Sequence, residues 1–320
     1  MNLLQKIVIT GNYNQPSNMF YRGNLQLIGD ICEINEKVSF DTYFNLFNLK
    51  KWITYCALKK LRFSISICGI GKVQLLSINK EKKISTISES DYNSEKFEKI
   101  EICYDVKEKT TENFLFVKII PVKKTQFKDA FFYNFEKCND IRLACCFCTY
   151  KREKELIQNV NMINAHVIRK LETSTSEDLI DICVVDNALT LEDNFNSEQI
   201  KVFKNKNLGG AAGFTRGIIE TCIKKNLYDY IILMDDDACV EPFVIEKTLY
   251  ILKNLKKSFQ ESMIGGALLS KERMELQLEN GAYFNSGKAF KRKQYYDLSE
   301  YTNVIDNENE ENINYCGWFY

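Results

Sequence analysis

The hydrophobic pattern of this chain changes near Asp140, and that change limits the folds open to it. From residue 1 to about residue 135, short apolar or alternating runs follow one another, with polar or turn segments between them. Such spacing is typical of antiparallel sheets folded as a β-sandwich or jelly roll. We therefore predict an all-β domain over residues 1–137, with strands in the runs "LQKIVIT", "NLQLIGD", "KVSFDTYF", "LRFSISI", "KVQLLSI", "EKIEICYDV" and "NFLFVKIIPV" and turns at "CGIGK" and "INKEKK".

Beyond Asp140, continuous apolar runs alternate with segments of helical period. The strand-like runs are "IRLACCFCTY", "LIDICVVDN", "IKVFKNKN", "YDYIILMDDD" and "SMIGGALLS". This alternation predicts an α/β domain over residues 138–320, with a mostly parallel sheet covered by helices on both faces. In such sheets ligands bind beyond the carboxyl ends of the strands, so the residues that follow each strand are the candidates for a site.

Composition and charge narrow the class of protein. The chain has 320 residues, 45% of them apolar and 27% charged, which indicates a globular protein. Lys+Arg and Asp+Glu are equal at 43 each, so bulk positive charge for nucleic-acid binding is absent. The opening "MNLLQKIVIT" is too short and polar for a signal peptide. We expect a cytoplasmic protein, with association at the inner face of the membrane and homo-oligomerisation left open.

The chain contains twelve cysteines, many of them inside strand-like runs. Cysteines such as Cys68, Cys145 and Cys183 are therefore predicted to be reduced, buried and hydrophobic in role. A zinc site in "CCFC" is disfavoured, because no second cysteine pair at finger spacing follows and His166 is the only histidine. His166 falls within a helical run, where we expect a surface or core residue.

Three carboxylates, Asp235, Asp236 and Asp237, directly follow the predicted strand "YIILM". Adjacent carboxylates repel one another, so a positive partner is expected beside them. Asp235 and Asp237 point to the same side if the chain stays extended, and carboxylate oxygens together with substrate phosphates suit Mg²⁺ or Mn²⁺. The alternative interpretation is a solvated acidic turn.

The segment "NKNLGGAAGFTRG" places Gly209, Gly210 and Gly213 at the start of a predicted helix. Small residues there let a ligand approach the backbone N–H groups of the helix N-terminus. The alternative is that these glycines let the helix pack closely on the sheet. Asp186, at the end of "VVD", and Arg152, after the first strand, are candidates for contacts with a ribose, a base or a phosphate.

Taken in order and spacing, "TYKR", "VVDN", "NLGGAAGFTRG" and "MDDDACVEP" resemble the family 2 glycosyltransferases of the GT-A fold, and more narrowly the bacterial polymerising galactofuranosyltransferases. The run "FDTYFNLFNLKKWITYCALKKLRFSISICGIGKVQL" resembles the β-sandwich domain that precedes the catalytic domain in that subfamily. The resemblance implies a jelly-roll-like β-sandwich followed by a Rossmann-like GT-A domain that binds a nucleotide-sugar. It also implies an inverting, metal-dependent enzyme that transfers galactofuranose, or another hexose, from a UDP-sugar to a growing cell-surface glycan. A lipid link on that glycan is left open.

The same resemblance assigns roles to the residues that match its motifs. Arg152 and Asp186 would hold the uridine. The remaining contacts are assigned to Asn207 for the nucleotide-sugar, Gly210 for the diphosphate, Asp236 for the sugar, Asp235 and Asp237 for Mn²⁺ or Mg²⁺, and Trp318 for stacking on an acceptor sugar. Core packing is the alternative role of Trp318. The family's general base lies downstream of the tryptophan segment and is therefore expected beyond Tyr320, so no catalytic residue is assigned, and this chain resembles the donor-binding part of an enzyme.

Two other functions compete with this interpretation. The first is a non-catalytic carbohydrate-binding protein or a degenerate fragment without the general base, in which the β-sandwich binds glycan. Glycan binding without UDP would favour it. The second is a nucleotidyltransferase, which also combines paired carboxylates with a glycine-rich segment. Selectivity for nucleoside triphosphates would favour that one.

Overall fold

A computed structural model describes residues 1–106, 110–172, 177–224, 227–309 and residue 313. Packing divides the chain into two units. The first, here called the β unit, contains residues 1–138 and 254–263 and the described part of 268–315. The second, the α/β unit, contains the described part of residues 139–253 together with 264–267. The division into domains of residues 1–137 and 138–320 stays a prediction, since these units are defined by packing alone.

The β unit is built on an eight-stranded sheet in which every described pairing is antiparallel. The strand order is β2-β3-β8-β5-β7-β4, with β1 paired to β8 and β6 paired to β5. The prediction of a jelly-roll-like β-sandwich in the first part of the chain is confirmed at this level. The strands are β1 Asn2–Lys6, β2 Gln26–Ile28, β3 Ile31–Ile34, β4 Val38–Ser39, β5 Lys60–Asn79, β6 Ile84–Asp105, β7 Glu112–Pro121 and β8 Thr125–Asn134.

Strand β5 organises this sheet because it is 20 residues long and has different neighbours along its length. Its first half pairs with β8, its second half pairs with β7, and β6 follows it throughout. The turn predicted at "CGIGK" is therefore wrong, since the strand continues through it. Gly69 has a φ of 119°, and a side chain at Gly71 would overlap the Tyr92 hydroxyl and the Ile120 carbonyl. These glycines let the strand continue where a side chain would not fit.

Aromatic side chains fill the core beneath the β8 half of the sheet. Phe132 is fully buried, with ring centroids 4.8 Å from Phe47 and 5.1 Å from Phe63. The ring of Trp52 stacks on Phe47 at 5.7 Å, which places helix α1, Leu49–Tyr55, against the core. The strand pattern alone did not predict this short helix.

The C-terminal part of the β unit adds small elements. Helix α6 buries Val304 and Ile305 in a cluster with Ile78 and Phe116. The run "SMIGGALLS" was predicted as a strand of the parallel sheet, but only its β13 portion is extended, and β13 pairs antiparallel with β14 in a separate sheet. The elements are β13 Leu268–Leu269, β14 Leu276–Glu279, β15 Ala282–Asn285, β16 Lys288–Lys291, β17 Tyr296–Asp297 and α6 Tyr301–Asn309.

The α/β unit has a four-stranded parallel sheet with the strand order β11-β10-β9-β12. The registers place Asp186 beside Thr149, and Asp235 beside Cys148. Three strand ends are therefore adjacent at one edge. The elements are β9 Arg142–Thr149, α2 Glu153–Ile163, α3 Arg169–Glu172, β10 Leu179–Asp186, β11 Ile200–Lys204, α4 Gly210–Ile218, β12 Tyr230–Asp235 and α5 Pro242–Asn254, with π-helical turns at Asn164–Ile168 and Ile219–Ile223.

Many unrelated proteins contain a short parallel sheet with helices. This topology therefore does not support the GT-A part of the fold prediction. Among the helices of the described ranges, none is long and apolar enough to cross a membrane.

Cys145, Cys146 and Cys183 are buried in the parallel sheet as predicted, whereas Cys68 of β5 and Cys148 of β9 are only partly buried. Cys145 and Cys146 have no exposed surface, and burial raises the pKa of the Cys145 thiol to about 12. Cys103 and Cys239 are exposed instead. His166 is an exposed residue of the first π-helical turn, as expected for a surface histidine.

Candidate functional site

The acid triplet at the end of β12 has a positive partner within the chain. Arg152, which precedes α2, contacts Asp236 at 3.3 Å and also pairs with Asp237. The Asp236 side chain is only 6% exposed, whereas those of Asp237 and Arg152 are about half exposed. Asp237 and then Asp236 hold the pKa of Arg152 above its usual value. The guanidinium thus offsets charge repulsion among the three carboxylates.

The loop after β12 is fixed by a buried side chain of α2. Asn159 donates from Nδ2 to the carbonyl oxygens of Asp236, at 3.1 Å, and Ala238, at 2.8 Å. Burial, followed by the charges of Asp236 and Asp235, raises the pKa of the Cys148 thiol to about 11. The acids therefore lie close to the end of β9, as the strand register requires.

The prediction that Asp235 and Asp237 bind Mn²⁺ or Mg²⁺ stays a prediction. Over the described parts of the chain, His, Cys, Asp and Glu side chains do not gather in groups of three or more that could hold a metal ion. Mg²⁺ is often bound by only one or two carboxylates together with waters and substrate phosphates. Asp237 would have to share its carboxylate between Arg152 and such an ion.

Asp186 lies fully buried at the end of β10 and has a structural set of partners. Its carboxylate accepts backbone N–H groups from Ala188 at 3.0 Å, Leu189 at 2.9 Å and Leu191 at 2.9 Å. Both carboxylate oxygens are therefore engaged in shaping the loop that follows. The uridine contact predicted for Asp186 stays a prediction.

The glycines at the start of α4 differ in their surroundings. Asn207 accepts the N–H of Gly209 at 3.1 Å, and Gly209 has a φ of 84° that leads into α4. A Cβ at Gly210 would meet open space, whereas a Cβ at Gly213 would collide with the Cys148 sulfur. The alternative interpretation, close packing on the sheet, therefore applies to Gly213, while Gly210 faces an open region.

The different surroundings of Gly213 and Gly210 predict different effects of substitution on stability. We expect Gly213→Ala to lower the free energy of unfolding by about 1–2 kcal/mol, because overpacking a buried contact outweighs the gain in helix propensity. Gly210→Ala is the matched control and should leave stability unchanged or raise it by up to about 1 kcal/mol. Urea unfolding of both variants measures the difference. Adding Cys148→Ala to Gly213→Ala should restore part of the loss, and equal stability of Gly213→Ala and wild type would contradict the contact.

Trp318, the predicted acceptor residue, lies outside the described residues. The structure therefore places Arg152, Asp186, Asp235, Asp236 and Asp237 at neighbouring strand ends, with Asn207 and Gly210 at the entry to α4. Among these residues, Arg152 forms ion pairs with Asp236 and Asp237. The ligand-binding roles of these residues are untested predictions.

A second candidate site, absent from the sequence-based predictions, lies on the outer face of the β unit. Phe131, Tyr133 and Phe135 follow one another at alternate positions of β8 and the residue after it. Their ring centroids are 5.6 Å and 5.4 Å apart, and Phe135 is 65% exposed. Phe97 of β6 is also exposed and lies close to Lys128 of β8. We call these four rings, with the charged side chains around them, the aromatic face.

Charged groups alternate with the rings of the aromatic face. Three cations lie over the rings, namely Arg62 over Phe135 at 5.2 Å, Lys99 over Tyr133 at 5.9 Å and Lys128 over Phe97 at 5.1 Å. Glu101 accepts the Tyr133 hydroxyl and pairs with Lys99 at 2.6 Å. Its bonds to Lys99 and Tyr133 hold the pKa of Glu101 below its usual value.

The strand register explains why these groups share one face. Arg62 lies opposite Tyr133 on one side and Cys103 on the other, and Ser64 lies opposite Phe131 and Glu101. Side chains alternate with period 2, so these positions lie on the side of the sheet opposite Phe63 and Phe132, although Tyr133 and Ser64 are themselves only 1% exposed there. The sequence "FFYNF" carried this signal, since its aromatic residues recur at every second position, but β8 was not among the predicted strands.

Comparisons with known proteins complete the description. No family model and no curated protein matches the chain. One solved structure that matches is the CBM22-1–GH10 part of Clostridium thermocellum endo-1,4-β-D-xylanase 10B with xylohexaose, at 12% identity over 57% of this chain and 38% of that chain, with a TM-score of 0.29. A CBM4 structure matches at 7% identity over 35% of this chain and 76% of that chain, with a TM-score of 0.26. A family 29 carbohydrate-binding module with cellulohexaose matches at 17% identity over 41% and 87%, also with a TM-score of 0.26.

These findings correct the interpretation drawn from the motifs. The assignment to the family 2 glycosyltransferases is wrong, since the similar structures reported above are carbohydrate-binding modules or contain one, and none of them is a glycosyltransferase. The predicted activity, metal-dependent transfer of galactofuranose from a UDP-sugar, is corrected with it, and so is the classification of the chain as an enzyme. A UDP-sugar partner has no support.

Proposed function

We propose that this chain is a non-catalytic protein that binds glycan through the aromatic face. The proposal is carried by Phe97 and Phe135, whose rings are exposed on the side of the β-sheet opposite the Phe132 core, together with the half-buried Phe131. Tyr133, which is only 1% exposed, packs against Phe131 and Phe135 and supports their rings. Core rings belong to the opposite side of the sheet, so packing within this unit does not account for an exposed ring at Phe135.

The chemistry of the aromatic face suits a sugar chain. A flat aromatic ring buries the apolar C–H face of a sugar, and polar groups beside it satisfy the hydroxyls. Arg62 and Lys99 supply donors at the edges of the rings, and Glu101 supplies an acceptor. Hydrogen bonds to charged groups are stronger than those between neutral groups, so these residues would orient the bound chain.

The main test is binding by the full chain to a panel of oligosaccharides, measured by isothermal titration calorimetry. The panel contains hexamers of xylose, glucose, galactose and galacturonic acid. We expect Phe135→Ala to weaken binding to the best ligand about tenfold, because a lost stacking contact of about 1.4 kcal/mol corresponds to that factor. UDP should have no effect on the affinity.

The matched control is Phe290→Ala, which removes a ring of similar exposure, 51%, from the β15–β16 hairpin. That variant should bind like wild type. If Phe290→Ala and Phe135→Ala weaken binding equally, the aromatic face is not the binding site. If no oligosaccharide binds at all, the proposed function itself fails.

A further inference from the structure

The charge on the aromatic face restricts the class of glycan that it suits. Arg62, Lys99 and Lys128 all place their cationic groups over rings, and the Lys99 side chain is 59% exposed. Glu101 is the carboxylate that lies among them, and it pairs with Lys99 at 2.6 Å and with Arg62 at 4.0 Å. Arg62 and Lys99 therefore share one carboxylate, and Lys128 adds a third cation to the same face.

The charged residues at the two ends of the aromatic face do not cancel this excess of positive charge. Lys60 and Asp105, the next outward positions along β5 and β6, are paired at 3.9 Å. At the other end, the exposed Asp129 occupies the bulge that follows Lys128 and has a φ of 50°. Within the ranges that the structure describes, no carboxylate lies within ion-pair distance of the Lys128 ammonium, which rests on Phe97 instead.

A neutral glycan would leave this excess of positive charge without a counterpart. Sugars with carboxylate or sulfate groups would supply one, while their ring C–H faces still stack on Phe135 and Phe97. Resting on the proposed function, we infer that the aromatic face binds an acidic glycan, whose anionic groups pair with Lys99, Lys128 and Arg62 while its sugar rings stack on the aromatic side chains.

Lys99 and Lys128 contribute differently in this arrangement. Lys99 already pairs with Glu101, so an anionic group of the ligand would compete with Glu101 for Lys99 or share Lys99 with it. Among the described residues, Lys128 has no such carboxylate partner, and it is open to the ligand. We therefore expect Lys128→Gln to cost more affinity than Lys99→Gln. Both changes keep a long polar side chain, so the fold should be retained.

The experiment compares ligands that differ only in charge. Hexagalacturonate is titrated into the full chain beside its methyl ester, and dextran sulfate beside dextran. We expect the charged member of at least one pair to bind at least tenfold more tightly at low salt, and to lose that advantage in 0.5 M NaCl, where exposed charges are screened over about 3–10 Å. Lys128→Gln should reduce affinity for the charged ligand about threefold, because the loss of one exposed ion pair, worth about 0.7 kcal/mol, corresponds to that factor. Its affinity for the neutral ligand should be unchanged.

Lys291→Gln on β16 is the control, because the Lys291 side chain is 58% exposed and lies on another sheet. A preference for the charged ligand that Lys291→Gln keeps in full and Lys128→Gln reduces about threefold supports the inference. Equal binding of charged and neutral members overturns it but leaves the proposed function intact. Absence of binding to every ligand, charged or neutral, overturns both. The two pairs also separate carboxylate from sulfate recognition.

Discussion

Replacing Phe132 with alanine should lower the free energy of unfolding by about 3–5 kcal/mol, the range measured for large aromatic residues removed from a core. Phe132 is fully buried, and its ring touches those of Phe47 and Phe63. Because Phe47 also stacks on Trp52 of α1, the cavity would open beneath this helix. Urea unfolding followed by tryptophan fluorescence measures the loss.

The neighbouring substitution Phe131→Ala provides the sharpest control, since it deletes the same ring one residue away. Phe131 lies opposite Ser64 on the outer side of the sheet, whereas Phe132 lies opposite Phe63 on the core side. Phe131→Ala should cost no more than about 1 kcal/mol of stability and should weaken glycan binding instead. A shift of the register by one residue would exchange the two phenotypes, so equal losses of stability would contradict the described pairing.

Periodicity alone was enough to predict the all-β first part of the chain and the alternating strands and helices from β9 to α5. After α5 the predicted alternation gives way to the small antiparallel sheets of β13 to β17. Runs such as "LACCFC" and "IILM" became the buried parallel strands β9 and β12, because continuous apolar residues suit a strand covered on both faces. The helical runs that follow them also formed where expected. The local sequence predicts these elements well, because the spacing of the apolar residues that each element buries determines whether it forms a strand or a helix.

Features set by distant parts of the chain could not be predicted in the same way. The glycines of "CGIGK" predicted a turn, yet Gly71 lies within strand β5. A glycine is needed there because the Tyr92 hydroxyl and the Ile120 carbonyl occupy the space that a side chain would fill. Those two neighbours lie on β6 and β7, far along the sequence. The short strand β13 illustrates the opposite case, since a favourable pattern found almost no partner strand.

The candidate site shows a similar limit. The three aspartates were expected to need a positive partner, and Arg152 supplies it. Short motifs at strand ends, however, reflect what any parallel sheet requires there, which includes carboxylates that accept loop N–H groups, as Asp186 does, and glycines that pack, as Gly213 does. The motifs were therefore consistent with a glycosyltransferase without being specific to one. The aromatic face was missed because β8, which carries Phe131 and Tyr133, was not among the predicted strands, and because Phe97 of β6 meets Lys128 of β8 only in the folded sheet.

The second large effect should come from Asn45, a buried polar residue of the β unit. Its Nδ2 donates to the carbonyl oxygens of Val8, at 2.7 Å, and Phe20, at 2.5 Å, and its Oδ1 accepts the Val8 N–H at 2.8 Å. One side chain thus joins two segments that lack regular pairing at these points. Asn45→Ala would remove the hydrogen bonds that the side chain makes to these backbone groups, so we expect a loss of about 2–4 kcal/mol in the free energy of unfolding.

Asn45→Asp separates hydrogen bonding from packing, because it keeps the shape but replaces the donor with a carboxylate. Facing the carbonyls of Val8 and Phe20, the introduced carboxyl group would have a pKa above its unfolded value of about 3.9. The folded state would then bind the proton more tightly than the unfolded state, so the penalty relative to wild type should be largest near pH 7 and should shrink as the pH falls through the raised pKa. Urea unfolding between pH 7 and pH 5 measures this trend. Asn93→Ala, at an exposed position of β6, should show no such loss at either pH. A penalty for Asn45→Asp that does not change with pH would mean that packing around the side chain, and not its amide donor, holds these segments together.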